Sequence, residues 1–237
     1  NGRAYNQMCT YNYQINYWEY SDGTIEIIST QLVSSFCVDV PDGTNGGAGG
    51  DGSNNGTGSS GGNSSNPVSR NPQTVRDAWQ RIPCNTYANT LIYATKKKKK
   101  MADAHITGEQ NGYLIDVNGN QIIARTDYHD GEYRILLSQA AFDLGEIYLA
   151  SVLDHELTHV KHIHELSNDY LNDLTNWKNK SEYSALNAQL NFLYPYVKDR
   201  QNRELEIEYK ALSSAISRLG NQYPIVKTSG YPSNPCN

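Results

Sequence analysis

Asp154-His155-Glu156-Leu157-Thr158-His159 has the pattern H-E-x-x-H. It lies in a run from about 145 to 166 whose Leu149, Val152, Leu153, Leu157, Val160 and Ile163 recur on one stripe at 100° per residue. That periodicity predicts an amphipathic helix with the stripe against the core. On such a helix His155 and His159 stand one turn apart on the flank of the stripe and aim two imidazoles at one point. Glu156 falls inside the stripe. A carboxylate there is costly unless something compensates it. Two neutral imidazoles suit Zn²⁺, and a carboxylate beside them is placed to act as a base on a water. The bland alternative, a histidine cluster on a polar helix face, leaves Glu156 an unexplained buried charge.

Working outward, Gly112 to Ser138 reads as a strand meander leading into this helix. Tyr113–Val117 and Gln121–Arg125 flank Asn118-Gly119, a hairpin turn signal. Gln121–Thr126 and Glu132–Leu137 flank the turn at residues 127–131. Before the meander, Asn71-Pro72 starts a helix through Trp79. Asn85 to about Ala104 is expected to be another helix, ending in the solvated run Lys96–Lys100. His105 and His129 read as ordinary turn or surface histidines. After the H-E-x-x-H helix come three helical stretches: Leu166–Trp177, then Ser181–Tyr194 ended by Pro195, then Lys198–Leu219 stopped by Gly220.

The N-terminal part differs in character. Tyr11–Tyr20 and Thr24–Val33 flank Ser21-Asp22-Gly23, so a β-hairpin is expected within residues 1–40. Residues 41–69, rich in Gly, Ser and Asn, cannot bury a core and read as a flexible linker. The expected division is therefore a hairpin module at 1–40, a linker at 41–69 and a main domain at 70–237.

A net charge of −5 argues against a surface that tracks phosphates, so a nucleic-acid partner is not expected. No apolar run approaches the roughly 18 residues of a membrane span. Cys9, Cys37, Cys84 and Cys236 contain no C-x-x-C. Scattered and even in number, they fit two disulfides in an oxidising, secreted or cell-surface compartment, with three pairings open; Cys9–Cys37 and Cys84–Cys236 would each close one segment on itself.

A catalytic zinc site needs a third protein ligand. In the pattern H-E-x-x-H-x-x-G-x-x-H the glycine place is His162 and the last place Glu165, so no turn brings that position back. His162 itself lies about 10 Å along the axis from His155. A glutamate from a later helix is the remaining route. Glu204 and Glu208 are one turn apart in Arg203–Ala211, with Glu206 on the opposite side. One of the pair can bind metal and the other can accept a hydrogen bond from a ligand histidine. Glu204 is expected as the ligand and Glu208 as its companion.

With Glu204-x-x-x-Glu208 after His155-Glu156-x-x-His159, the chain resembles the gluzincin metallopeptidases, in which H-E-x-x-H sits on one helix and E-x-x-x-D on a second. Here Glu208 replaces the usual Asp. The resemblance covers about residues 112–211. It implies an α+β, zincin-like domain with a small antiparallel sheet, an active-site helix and C-terminal helices. It also implies Zn²⁺ held by His155, His159 and Glu204, Glu156 as general base, peptide-bond hydrolysis, and backbone pairing of a protein or peptide substrate to the strand Glu132–Leu137. Tyr209, Tyr183 and His162 are open as oxyanion stabilisers. The layout of hairpin, linker and zincin is similar to C-terminal pieces of bacterial surface or toxin proteins, so a toxin-type protease with one protein target stays open. A metal-binding or interaction module without turnover is the other alternative.

Overall fold

Glu132–Leu137 is the strand on which the main part of the molecule is assembled. Ile135 and Leu137 are buried on one face and Arg134 and Leu136 on the other, a period of two with both faces covered. In the computed structural model, which describes residues 5–21, 24–41, 66–82, 90–93, 105–129, 132–165, 174–198 and 202–219, this strand is the eighth. Before it come β1 (Tyr5–Glu19), β2 (Thr24–Pro41), β3 (Thr90–Tyr93), β4 (Ile106–Gln110), β5 (Tyr113–Asp116), β6 (Gln121–Ile122) and β7 (Ala124–His129). The helices are α1 (Pro72–Gln80), α2 (Gly145–Glu165), α3 (Leu174–Val197) and α4 (Arg203–Leu219), with a 3₁₀ turn at Gln139–Ala141. The protein is thus mixed α and β, with four helices among the described residues.

One sheet runs β1-β2-β3-β8-β7, with β3 parallel to β8 and the β2–β3 and β8–β7 pairs antiparallel. Register aligns Ile25 with Ile92 and Ile92 with Ile135, so three fully buried isoleucines form a row across the sheet. That row joins the helix-side core of Val75, Trp79, Leu149, Leu153 and Leu157. On the opposite face Leu136 packs with Ile106, Leu114 and Ile122 of the second sheet, β4-β5-β6. Around the β5–β6 turn, Asp116 Oδ1 accepts from Asn118 N and Asn120 N, both at 2.8 Å, and Gly119 takes φ +81°. A left-handed residue at that place is why Asn-Gly reads as a turn.

Three expectations need correction. The helix expected over 85–104 contains instead the strand Thr90–Tyr93. Thr-Leu-Ile-Tyr is a short apolar run with β-forming residues, whose periodicity does not separate strand from helix. The gap between β2 and β8 decides it. Next, the hairpin does not stand apart at residue 40. Thr24–Ile27 pairs with β3, and Arg76 of α1 binds Glu19 at 2.6 Å and covers the Tyr17 ring at 4.7 Å. The chain divides into residues 1–14 with 31–62 and residues 15–30 with 63–237. Finally, α3 is continuous from Leu174 to Val197, through the break expected near 177–181 and past Pro195. Proline removes one backbone donor near the C-terminal end, and the last turn still closes through Lys198 N to Tyr194 O at 3.1 Å. The cysteine side chains, Lys96–Lys100, the His129 side chain and most of the expected linker lie outside the described residues. No helix among the described residues is long and apolar enough to cross a membrane.

Candidate metal centre

The H-E-x-x-H helix is α2. Leu149, Leu153, Leu157 and Val160 are fully buried on its core stripe, and His155 is 9% exposed beside it. α3 lies antiparallel against α2: Ser181 Oγ is 2.7 Å from His159 Nδ1, and Gln189 Nε2 is 3.4 Å from Ser151 Oγ. Both pairs are symmetric about the same point in sequence, as two antiparallel helices require. That packing carries Glu182 to the histidines. His155 Nε2 and His159 Nε2 are 3.2 Å apart, and the Glu182 oxygens lie 3.7 Å from the first and 3.3 Å from the second.

Tetrahedral zinc with nitrogen and oxygen ligands at about 2.0–2.1 Å requires ligand atoms about 3.3 Å from one another. The three separations match the edges of such a tetrahedron, and the donor set of two imidazoles and one carboxylate is one zinc accepts. Among the described residues this is the group of three metal-ligating side chains that converges.

The carboxylate that meets the two histidines is Glu182; Glu204 is exposed on α4. Asn202 caps α4 through its Oδ1, which accepts from Leu205 N at 3.1 Å. Leu205 is the side chain the first turn buries, and Glu204 faces water beside it. Glu208 turns into the cleft but takes no hydrogen bond from a ligand histidine; Tyr148 Oη donates to it at 3.5 Å. The chain carried no local signal for Glu182: it reaches the histidines only because α3 packs antiparallel on α2. Glu182 lacks an acidic neighbour one turn on, because residue 186 is Leu, so no E-x-x-x-D pattern marks it.

Around the ligands, Ser181 is buried and also lies 2.8 Å from His162 Nδ1. With His159 presenting Nε2 to the metal position, its Nδ1–H donates to Ser181 Oγ, and the hydroxyl proton is left for His162 Nδ1. His155 Nδ1 is buried without a hydrogen-bond partner. Glu156 is 6% exposed, and Thr126 Oγ1 of β7 donates to its Oε2 at 2.7 Å. The same hydroxyl is 3.0 Å from Glu156 O, so β7 is fastened to the helix at the H-E-x-x-H motif.

Charge is distributed unevenly over this group. Burial lowers the His155 pKa, helped by His159 and opposed by Glu182 and Glu156. Burial acts the same way on His159, but a hydrogen bond to Glu182, with the charges of Glu182 and Glu156, outweighs it and raises the pKa. For Glu182, burial is overcome by the two histidines, which hold the carboxyl down at about 2. At neutral pH His155 is thus neutral and Glu182 ionised, the forms a metal takes.

These residues open on a cleft of about 550 Å³ between β7, α2, α3 and α4, roofed by the β5–β6 turn. Neither His162, Tyr183 nor Tyr209 lines it; Tyr148 and Arg125 do. The strand expected to pair with substrate, β8, has both edges occupied by β3 and β7. The last strand of the order is β7, whose Ala124, Arg125 and Thr126 line the cleft. Comparison with protein families, with curated proteins and with solved structures finds no match to the chain.

Proposed function

We propose that the protein is a zinc-dependent hydrolase of peptide bonds, of gluzincin type, with His155, His159 and Glu182 as ligands and Glu156 as general base. The observation that carries the reading is the triangle of ligand atoms at 3.2, 3.3 and 3.7 Å on the helix that also bears Glu156. Two histidines from one helix and a glutamate from a later one agree with the resemblance, with Glu182 replacing Glu204. Zinc held there supplies Lewis acidity, lowering the pKa of a water and polarising a carbonyl.

The remaining work falls to the chain. Thr126 engages Oε2 of Glu156 and leaves the other carboxylate oxygen to take a proton from water and return it to the leaving amine. Ser181 fixes the ring of His159 so that Nε2 faces the ligand position. The edge of β7 that is unpaired among the described residues offers backbone donors and acceptors to an extended peptide, which sets its carbonyl beside α2. The substrate class is accordingly a peptide or protein segment in extended form.

The test couples zinc analysis of dialysed protein to digestion of a peptide library by wild type, Glu156→Gln and Glu182→Gln. Hydrolysis should disappear in both variants while zinc is retained in Glu156→Gln alone. Zinc retention without hydrolysis by wild type would leave a metal-binding module, and absence of zinc from wild type would end the reading.

A further inference from the structure

We propose that the cleft selects substrates carrying a carboxylate close to the scissile bond, and that Arg125 on β7 is the residue that binds it. This rests on the hydrolase reading above and adds to it a specificity that no part of the catalytic group requires.

The arginines of the fold supply the contrast. Among the described residues those not exposed to solvent are Arg70, Arg76, Arg81, Arg125 and Arg134. Four are matched to a carboxylate: Arg70 to Glu109, Arg76 to Glu19, Arg81 to Glu146 and Arg134 to Asp127. Arg125 alone of the five forms no ion pair with a described carboxylate; its Nε is buried without a partner, as are those of Arg70 and Arg134, but theirs belong to guanidinium groups paired through other nitrogens. A buried cationic donor left unpaired is costly, and a guanidinium fork is satisfied best by the two oxygens of a carboxylate.

The acids of the cleft are already committed. Asp116 holds the turn through Asn118 and Asn120, Glu156 accepts from Thr126, Glu182 faces the histidines and Glu208 accepts from Tyr148. None forms an ion pair with Arg125, although all line the same cleft. Location then sets the distance of recognition. Arg125 precedes Thr126, which holds Glu156, and β7 carries an edge that is unpaired among the described residues. A peptide paired to that edge advances about 3.3 Å per residue, so its carboxylate would sit about one or two residues from the bond cleaved. An acidic side chain and a C-terminal carboxylate present the same chemistry.

The experiment uses zinc-loaded wild type, Arg125→Ala and Arg125→Lys with N-acetylated peptides in matched sets: Asp or Glu against Asn or Gln, and free C-terminal acid against amide. Wild type should show a KM lower by about ten- to a hundredfold for the carboxylate member, the worth of one charged hydrogen bond, with kcat little changed. Loss of the preference on amidation assigns the C-terminal carboxylate; loss on Asp→Asn or Glu→Gln exchange within the peptide assigns a side chain. Arg125→Ala should abolish the preference and leave zinc content and cleavage of the neutral peptides as in wild type, with Arg125→Lys in between. Equal cleavage of charged and neutral members, or a preference that survives Arg125→Ala, overturns the proposal. Calorimetric titration of zinc-loaded Glu156→Gln with the same peptides separates recognition from catalysis. Tighter binding of the carboxylate member that depends on Arg125 supports the proposal even where wild type cleaves nothing, and equal or absent binding of both members overturns it.

Discussion

Replacing Glu182 by Gln distinguishes the candidate centre of the structure from the one the sequence suggests. The carboxylate faces both Nε2 atoms, at 3.7 and 3.3 Å, whereas Glu204 is exposed on another helix. Protein zinc sites with four ligands bind with about 10–16 kcal/mol, so one ligand is worth about 2.5–4 kcal/mol. At 1.4 kcal/mol per factor of ten, Glu182→Gln should weaken zinc about 10²–10³-fold. Glu204→Gln should leave affinity unchanged. Competition against a chromophoric chelator at neutral pH reads both values. The fold should tolerate the change: the Glu182 side chain is 42% exposed, and ion pairs that water screens contribute about 0–1 kcal/mol. Thermal unfolding of the metal-free variants should therefore stay close to wild type. A large loss of zinc affinity in Glu204→Gln with none in Glu182→Gln would refute the assignment.

Further outcomes follow from the same geometry. Thr126→Val removes the 2.7 Å hydrogen bond to Glu156 and should lower kcat about tenfold with zinc affinity unchanged, as seen by chelator competition beside peptide cleavage. Ser181→Ala frees the ring of His159 and should weaken zinc about 10–100-fold, with Ser181→Thr restoring most of it. Zinc competes with a proton for His159, whose pKa Glu182 raises above the usual 6.5 against the effect of burial; affinity measured across pH should begin to fall above pH 6.5 as the solution is acidified. The two histidines hold the Glu182 carboxyl down at about 2 from 4.5, so the small contribution of this 42% exposed group to metal-free stability is lost as pH falls from 4.5 towards 2 and also as pH rises and the histidines lose their protons; the small difference in denaturant midpoint between wild type and Glu182→Gln should close at both ends.

The histidine pair of the candidate centre was legible in the chain because its spacing is local. H-E-x-x-H sets two imidazoles one turn apart whatever surrounds the helix, and the stripe from Leu149 to Val160 specifies which side is buried. The turn at Asn118-Gly119, the paired strands around it and the cap at Asn71 were readable for the same reason: each is decided within a few residues. What the chain could not announce is long-range. Thr90–Tyr93 is a strand because β2 and β8 present unsatisfied backbone to it, and four residues carry too little periodicity to say so. Glu182 is the carboxylate beside the histidines because α3 folds back on α2, while Glu204 and Glu208, a better pattern on paper, sit on a helix whose cap and buried Leu205 turn Glu204 to solvent. Among the described residues the unpaired edge passes to β7 because β3 occupies the far side of β8. Spacing along a helix is a property of the sequence itself, but which carboxylate meets two histidines, and which strand keeps an open edge, depend on packing between elements that no local pattern encodes.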